Sequence, residues 1–264
     1  MGYCIVIPAR YDSSRLPGKP LRDIQGKPLI RHVYECATKS RADKVIIATD
    51  DQRIFDTAVN FGANVCMTGT QHTSGTERIA EVIEKEGFSD DTIIVNLQGD
   101  EPLMPAACLD QVADLLENST DCVMATLCEP IHAVDDIFDP DIVKVVFNGQ
   151  GHALYFSRAP IPWHRNSFAK DRTQITLSGE DNYRHIGLYA YTARYVREYL
   201  AAEPCPLEKI ESLEQLRVLW HGKKIAIGVA VSPPGPGVDT EQDLARVRRL
   251  FEQGKNNMPG IHLA

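Results

Sequence analysis

The chain lacks the spacings that mark the commonest cofactor and metal motifs. Its seven cysteines include no Cys-x-x-Cys pair and are scattered through apolar runs such as those around Cys4 and Cys122. Zinc-finger and dithiol redox motifs are therefore excluded, and buried, reduced thiols are expected. The chain also lacks an excess of positive charge. Lys and Arg total 28 against 36 Asp and Glu, a formal charge of −8, which excludes a chain-wide attraction to nucleic acid or anionic lipid. Any anionic ligand must be met by a local basic cluster. No apolar run approaches the roughly 20 residues of a membrane span. The N-terminus has no basic start and no cleavable apolar segment, and Met1-Gly2 is not followed by Ser or Thr at position 6, so neither secretion nor myristoylation is indicated. Repeats and low-complexity segments are missing too. A cytoplasmic protein is expected.

What remains is an ordinary globular composition, 264 residues with 43% hydrophobic and 24% charged, suited to one large α/β domain or one domain with an insertion. Strand and helix patterns alternate from the start. Tyr3 to Ile7 reads as a buried strand, followed by a polar loop to Lys27 and a helix over Pro28 to Lys39. A strand over Lys44 to Thr49 leads to a helix capped by Asp50 or Asp51. Ser74-Gly75-Thr76-Glu77 fits a capping box for the next helix. A strand over Thr92 to Leu97 and a helix from Pro105 to Asn118 complete a pattern that predicts a mostly parallel sheet covered on both faces. Beyond residue 120 the rhythm changes. Strands are expected over Cys122 to Leu127, Ile142 to Phe147 and His152 to Phe156, the last two forming a hairpin across Asn148-Gly149-Gln150-Gly151. An irregular stretch follows over 157–183, then a strand from Arg184 to Thr192 and two helices, the second over 207–220. A strand over Lys224 to Val231 precedes the loop Pro233-Pro234-Gly235-Pro236-Gly237 and a last helix capped at Asp239 or Thr240. The final ten residues are expected to fray.

Ligands of open α/β sheets bind beyond the carboxyl ends of the strands, which directs attention to the loop after the first strand. It reads IPARYDSSRLPGKPL and holds Arg10, Arg15 and Lys19, with Ser13, Ser14 and Gly18 between them. Three cations in one loop of an acidic protein suit a triphosphate, although a solvated basic loop accounts for them equally well. Neither a Gly-x-Gly-x-x-Gly nor a Walker motif is present there.

That block, followed by GKPLIRHV, SGTERIAEV, VNLQGDEP, ALYFSRAPIPW, RHIGLYAY, LEQLRVLW and PGVDTEQDLARV in the same order from residue 5 to about 249, resembles the 3-deoxy-manno-octulosonate (Kdo) cytidylyltransferases. The resemblance implies a mixed, mostly parallel α/β sheet of the glycosyltransferase-A-like nucleotidyltransferase type, with a smaller insertion serving the sugar site and dimerisation. It implies a single domain over 1–250, a homodimer contact involving about 150–190, a tail over 251–264, and transfer of CMP from CTP to an acidic eight-carbon sugar for lipopolysaccharide biosynthesis. An 8-amino or sialic-acid-like sugar, or a catalytically silent nucleotide-binding regulator, is the alternative.

Asp100 follows a strand and Asp239 follows the Pro/Gly loop, two acids placed where a hard cation such as Mg2+ could be shared with phosphate oxygens. A turn role for Asp100 and helix capping by Asp239 explain them as well. The resemblance carries the metal role onto Asp100 and Asp239, with Glu101 the nearest competitor, and makes Lys19 catalytic beside them. It assigns the triphosphate to Arg10, Ser13, Ser14, Arg15 and Lys19. The base falls to the backbone near Ala9 and Arg10, the Ser74-Gly75-Thr76 turn and Arg78. The sugar is assigned to Gln98, His185, Tyr189, Glu214 and Gln215, with Arg158 as partner of its carboxylate. On a helix over 207–220, Glu214 falls on an otherwise apolar sector and needs Arg217, another cation or a hydroxyl-rich ligand.

Overall fold

The computed structural model describes residues 2–13, 15–168, 175–177, 179 and 182–254. The first strand dictates the layering. β1 (Tyr3–Ala9) is apolar throughout, and its side chains alternate between two buried clusters. Tyr3, Ile5 and Ile7 join one, and Cys4 and Val6 join the other. A strand with no polar face requires cover on both sides.

A polar loop and a single 3-10 turn (Lys19–Leu21) lead to the short ribbon β2 (Asp23–Ile24) and β3 (Lys27–Pro28). Then come α1 (Leu29–Ala37), β4 (Lys44–Thr49), α2 (Gln52–Asn60), β5 (Asn64–Met67), α3 (Gly75–Glu86), β6 (Ile93–Asn96) and α4 (Ala106–Glu117). The second half contributes β7 (Met124–Pro130), α5 (Val134–Phe138), β8 (Lys144–Phe147), β9 (Ala153–Ser157), β10 (Tyr183–Thr192), α6 (Ala193–Ala201), α7 (Pro206–Glu211), α8 (Leu216–Trp220), β11 (Ile225–Val229) and α9 (Glu241–Gly254).

The strands form one sheet in the order β11-β7-β10-β6-β1-β4-β5, with β8 added to β10 and β9 to β8. Pairings β1/β4, β1/β6, β4/β5 and β7/β11 are parallel, whereas β10 runs antiparallel to β6, β7 and β8. α1 and α4 cover one face through Ile30, Val33, Ala37, Leu109 and Val112. α3 and α6 cover the other through Ile79, Val82, Ile83, Val196 and Tyr199. The mixed, mostly parallel sheet expected from the sequence is present, and so is the β8–β9 hairpin, closed by the Gly151 N–H donating to the Asn148 carbonyl.

Two local expectations change and one open choice is decided. The helix read over 207–220 is two helices, broken where Ser212 takes the left-handed conformation (φ 54, ψ 49). The last helix is capped by Thr240, whose Oγ1 accepts from the Asp243 N–H while the Asp243 carboxylate accepts from the Thr240 N–H, leaving Asp239 free of that duty. That helix also runs past residue 250. Phe251 is buried against Leu16, Ile24, Leu29, Leu244 and Val247, so the tail begins later than 251, and the fraying expected of the last ten residues concerns positions outside the described residues.

Candidate active site

The parallel strands β1 and β6 end at one edge of the sheet, and β10 begins there, so the loops after residues 9 and 96 and the start of β10 converge. Gly99 permits the closest approach. A Cβ at this position would stand 2.7 Å from the Pro8 carbonyl oxygen, so only glycine lets the Gln98–Asp100 turn pass the end of β1. The basic loop is shaped rather than freely solvated. Leu16 and Pro20 are buried, Gly18 turns the chain at φ 64, and the Arg53 guanidinium lies 3.3 Å over the Tyr11 ring.

Two cavities open at this edge and share Gly75, Gln98, Glu214 and Asp239 in their walls, so they form one cleft. The first, of about 370 Å³, is lined by Ala9, Arg10, Ser13, Arg15, Lys19, Ser74, Arg78 and Asp100. The second, of about 620 Å³, is lined by Glu101, His185, Tyr189 and Gln215. Ser14 lies outside the described residues.

At the junction, the Lys19 ammonium donates to Asp100 Oδ2 at 2.6 Å and to Asp239 Oδ1 at 3.0 Å, and Arg15 reaches Asp239 Oδ1 at 3.2 Å. Burial lowers the pKa of Lys19, but Asp100 and then Asp239 outweigh it and hold the amine above its usual range. The two carboxylates therefore converge on one cationic point, and a shared hard cation is compatible with this donor set. Capping does not explain Asp239, because Thr240 performs it. Neighbouring Glu101 is partly buried, and that burial, reinforced by the Asp100 charge, pushes its carboxyl up to about 8.

Arg78 forms part of the first cavity's floor. It is only 3% exposed, pairs with Asp50 at 2.6 Å and donates to the Thr68 hydroxyl. Ser74 caps α3 by accepting from the Glu77 N–H, which leaves the first turn of α3 facing the cleft at Gly75 and Thr76.

In the second cavity, His185 packs against Phe156 and Tyr189, and burial lowers its pKa to about 3, so the ring is neutral. The Thr126 hydroxyl lies 2.9 Å from His185 Nε2 and also 2.8 Å from the Leu188 carbonyl and 3.1 Å from that of Ile186. Its single proton must go to a carbonyl, so His185 Nε2–H donates to Thr126 and Nδ1 remains an acceptor. A register shift in β10 between Ile186 and Tyr189 still leaves His185 and Tyr189 on the cavity wall.

Glu214 lies in the link between α7 and α8, and neither a helix sector nor Arg217 accounts for it. Arg217 pairs instead with Glu208 at 2.5 Å. The Glu214 carboxylate accepts from the Thr76 hydroxyl at 3.0 Å, and its carbonyl accepts from Tyr199 at 3.2 Å. Burial raises its pKa. Gln215 is buried, and its Nε2 has no partner among the described residues, an open donor at the cavity wall. Arg158 is the one sugar-site expectation among the described residues that the structure does not bring to the cleft. Its guanidinium donates to the carbonyls of Glu211 and Pro140, each at 2.8 Å.

Sequence reasoning missed Tyr191, which is buried on the wall of the same cavity. Its spacing of two from Tyr189 on a strand was the available signal. Tyr199, which reaches the cavity from α6, gave none, because its helical periodicity reads simply as core.

The cytidylyltransferase family model matches residues 4–225. The chain is 55% identical over 251 residues to the 3-deoxy-manno-octulosonate cytidylyltransferase of Coxiella burnetii (strain RSA 493 / Nine Mile phase I), covering 95% of this chain and 100% of that one. It is 54% identical over 254 residues to that of Idiomarina loihiensis, covering 96% and 100%. Among solved structures, a CMP:2-keto-3-deoxy-manno-octonic acid synthetase complexed with CTP matches with a TM-score of 0.86 at 41% identity, over 96% of this chain and 100% of that one. A cytidylyltransferase from Leptospira borgpetersenii shares the fold at 17% identity and a TM-score of 0.60, over 99% and 100%. With a cavity lined by Arg10, Arg15, Lys19 and Arg78, a carboxylate pair, and a second cavity lined by His185, Tyr189 and Gln215 in series, and relatives alike along nearly its whole length, the chain belongs to the cytidylyltransferase family, among the 3-deoxy-manno-octulosonate cytidylyltransferases.

Proposed function

We propose that the protein activates Kdo with CTP, giving CMP-Kdo and pyrophosphate for lipopolysaccharide assembly. The observation that carries this reading is the convergence of Asp100 and Asp239 on the Lys19 ammonium where the two cavities meet. A triphosphate in the first cavity would meet Arg10, Arg15 and Lys19, and the hydrogen-bonding groups of the second, His185, Gln215 and Glu214 among them, would hold a sugar acid beside it. The anomeric hydroxyl oxygen attacks the α-phosphorus, the bond to the pyrophosphate oxygen breaks, and the hydroxyl proton is lost. Such a reaction depends on alignment and charge neutralisation more than on a covalent nucleophile. Mg2+ would be held by Asp100 and Asp239, and when bound it would polarise the phosphate oxygens.

The chain's own residues do the rest of the work in this reading. The first turn of α3 and the backbone at Ala9 and Arg10 take the base, with Arg78 beneath. Gln98 and Gln215 offer amides, His185 Nδ1 accepts from a sugar hydroxyl, and Glu214 accepts from another. The family resemblance also suggests a cytoplasmic homodimer using residues from about 150 to 190. The exposed Leu154 and Trp163, 59% and 54% accessible, support that surface. Pyrophosphate release measured with CTP, Mg2+ and a panel of sugar acids tests the assignment. Turnover with Kdo, and not with sialic acids, is expected. Absence of turnover with every acid sinks it.

A further inference from the structure

Three chain segments meet at the end of the sheet opposite the cleft. Asp121 and Cys122 lead into β7, Lys224 leads into β11, and His152 stands just before β9, where its backbone bridges Ala226. The Val123 N–H donates to the Lys224 carbonyl at 3.1 Å and pins two of the segments together. The ligand-type atoms of Asp121, Cys122 and His152 all lie within 4.8 Å of one another, and no other such group of three His, Cys, Asp or Glu occurs among the described residues.

One carboxylate oxygen is the hub. Asp121 Oδ1 lies 3.6 Å from His152 Nε2 and 3.7 Å from Cys122 Sγ. Lys224 binds the other oxygen, Oδ2, at 2.5 Å, so it orients the carboxylate and leaves Oδ1 turned to the thiol and the imidazole. Around a tetrahedral zinc ion with bonds of ~2.0–2.3 Å, oxygen, nitrogen and sulfur ligands stand about 3.3–3.6 Å apart. The two spacings from Asp121 Oδ1, 3.6 and 3.7 Å, lie close to that, and all three atoms are within 4.8 Å of one another. His152 and Cys122 are partly buried while Asp121 is exposed, so solvent can reach a fourth position.

We infer that Asp121, Cys122 and His152 bind a divalent cation of the zinc class, with water completing the coordination. Magnesium and calcium prefer oxygen, and a site of one thiolate, one imidazole and one carboxylate selects against them. Binding replaces the S–H bond with a sulfur–metal bond and releases the proton to solvent. The ion ties the entry of β7 to the β8–β9 hairpin, a structural role separate from the cleft.

Titration of the intact protein with cobalt(II), followed by thiolate-to-cobalt charge-transfer absorption, tests this. The expected result is saturation at one equivalent and bleaching on addition of zinc. Cys122→Ser loses the charge-transfer band, and His152→Gln weakens cobalt binding by about tenfold or more. Circular dichroism and melting of both variants without metal establish that they are folded. Zinc then raises the melting temperature of the wild type but not that of Cys122→Ser. A charge-transfer band that survives in Cys122→Ser, or that is absent from the wild type, overturns the site.

Discussion

Lys19 occupies the point between Asp100 and Asp239, so each of these carboxylates is already committed to holding a cation. Asp100→Asn and Asp239→Asn keep the shape and remove the charge. Loss of one such electrostatic group lowers kcat by about 10²-fold or more, and both variants are expected to show this with melting temperatures near that of the wild type. Wild-type turnover in either would remove that residue from the reaction. His185 gives a second residue-scale prediction. Its native pKa is near 3 because of burial, against ~6.5 when unfolded. A depressed histidine contributes stability that is intact above the unfolded value and is lost as pH falls towards the native one. Between pH 7 and pH 5 this group alone removes about 2 kcal/mol. Urea unfolding of the wild type and of His185→Gln at both values checks it. The variant's stability should fall by that much less, and an unchanged difference would contradict a buried neutral ring.

At the element scale, the start of α9 separates two duties that adjoin in sequence. Thr240 caps the helix while Asp239 faces the cleft. Thr240→Ala is expected to cost about 1 kcal/mol of stability with kcat retained, and Asp239→Ala to do the reverse. Urea unfolding and steady-state kinetics on the pair distinguish the roles, and a stability loss confined to Asp239→Ala would return it to capping. The sequence alone left this choice open, since Asp and Thr are both good caps. The parallel strands β1, β4, β6, β7 and β11 and the helices α1 to α4 were legible because apolar runs and caps repeat in register with them, whereas the short edge strand β5 was not. The break between α7 and α8 was not. Glu211-Ser212-Leu213 contains neither glycine nor proline, and the apolar spacing of Leu207, Ile210 and Leu213 continues a helix on paper. Tertiary contacts override it. The Glu211 carboxylate accepts from the Ser157 hydroxyl and the Arg158 N–H, Leu213 is buried, and Ile210 is left 79% exposed. The same contact with Glu211 diverts Arg158 from the cleft, a pairing no sequence spacing reveals.

For the whole molecule, the decisive feature is that residues from 9 to 239 meet at one edge of a single sheet, so ligand binding and global stability are linked. A ligand present at 100 times its Kd adds ~2.7 kcal/mol to the native state. CTP with Mg2+ should therefore raise the melting temperature of the wild type, and Lys19→Ala and Arg15→Ala should reduce that shift, because both cations line the first cavity. Glu214 lies on the wall common to both cavities, held by Thr76 of α3 and Tyr199 of α6. If it serves the sugar, Glu214→Gln keeps the CTP-induced shift and raises the KM for Kdo or lowers kcat, while melting without ligand stays near wild type. If it only braces α3 against the α7–α8 link, the unliganded melting temperature falls and the sugar dependence is unchanged once folded protein is counted. Melting with and without CTP, together with kinetics in each substrate, separates these outcomes on one variant. A purely thermal defect would leave Gln98, His185 and Gln215 to carry the sugar end of the cleft.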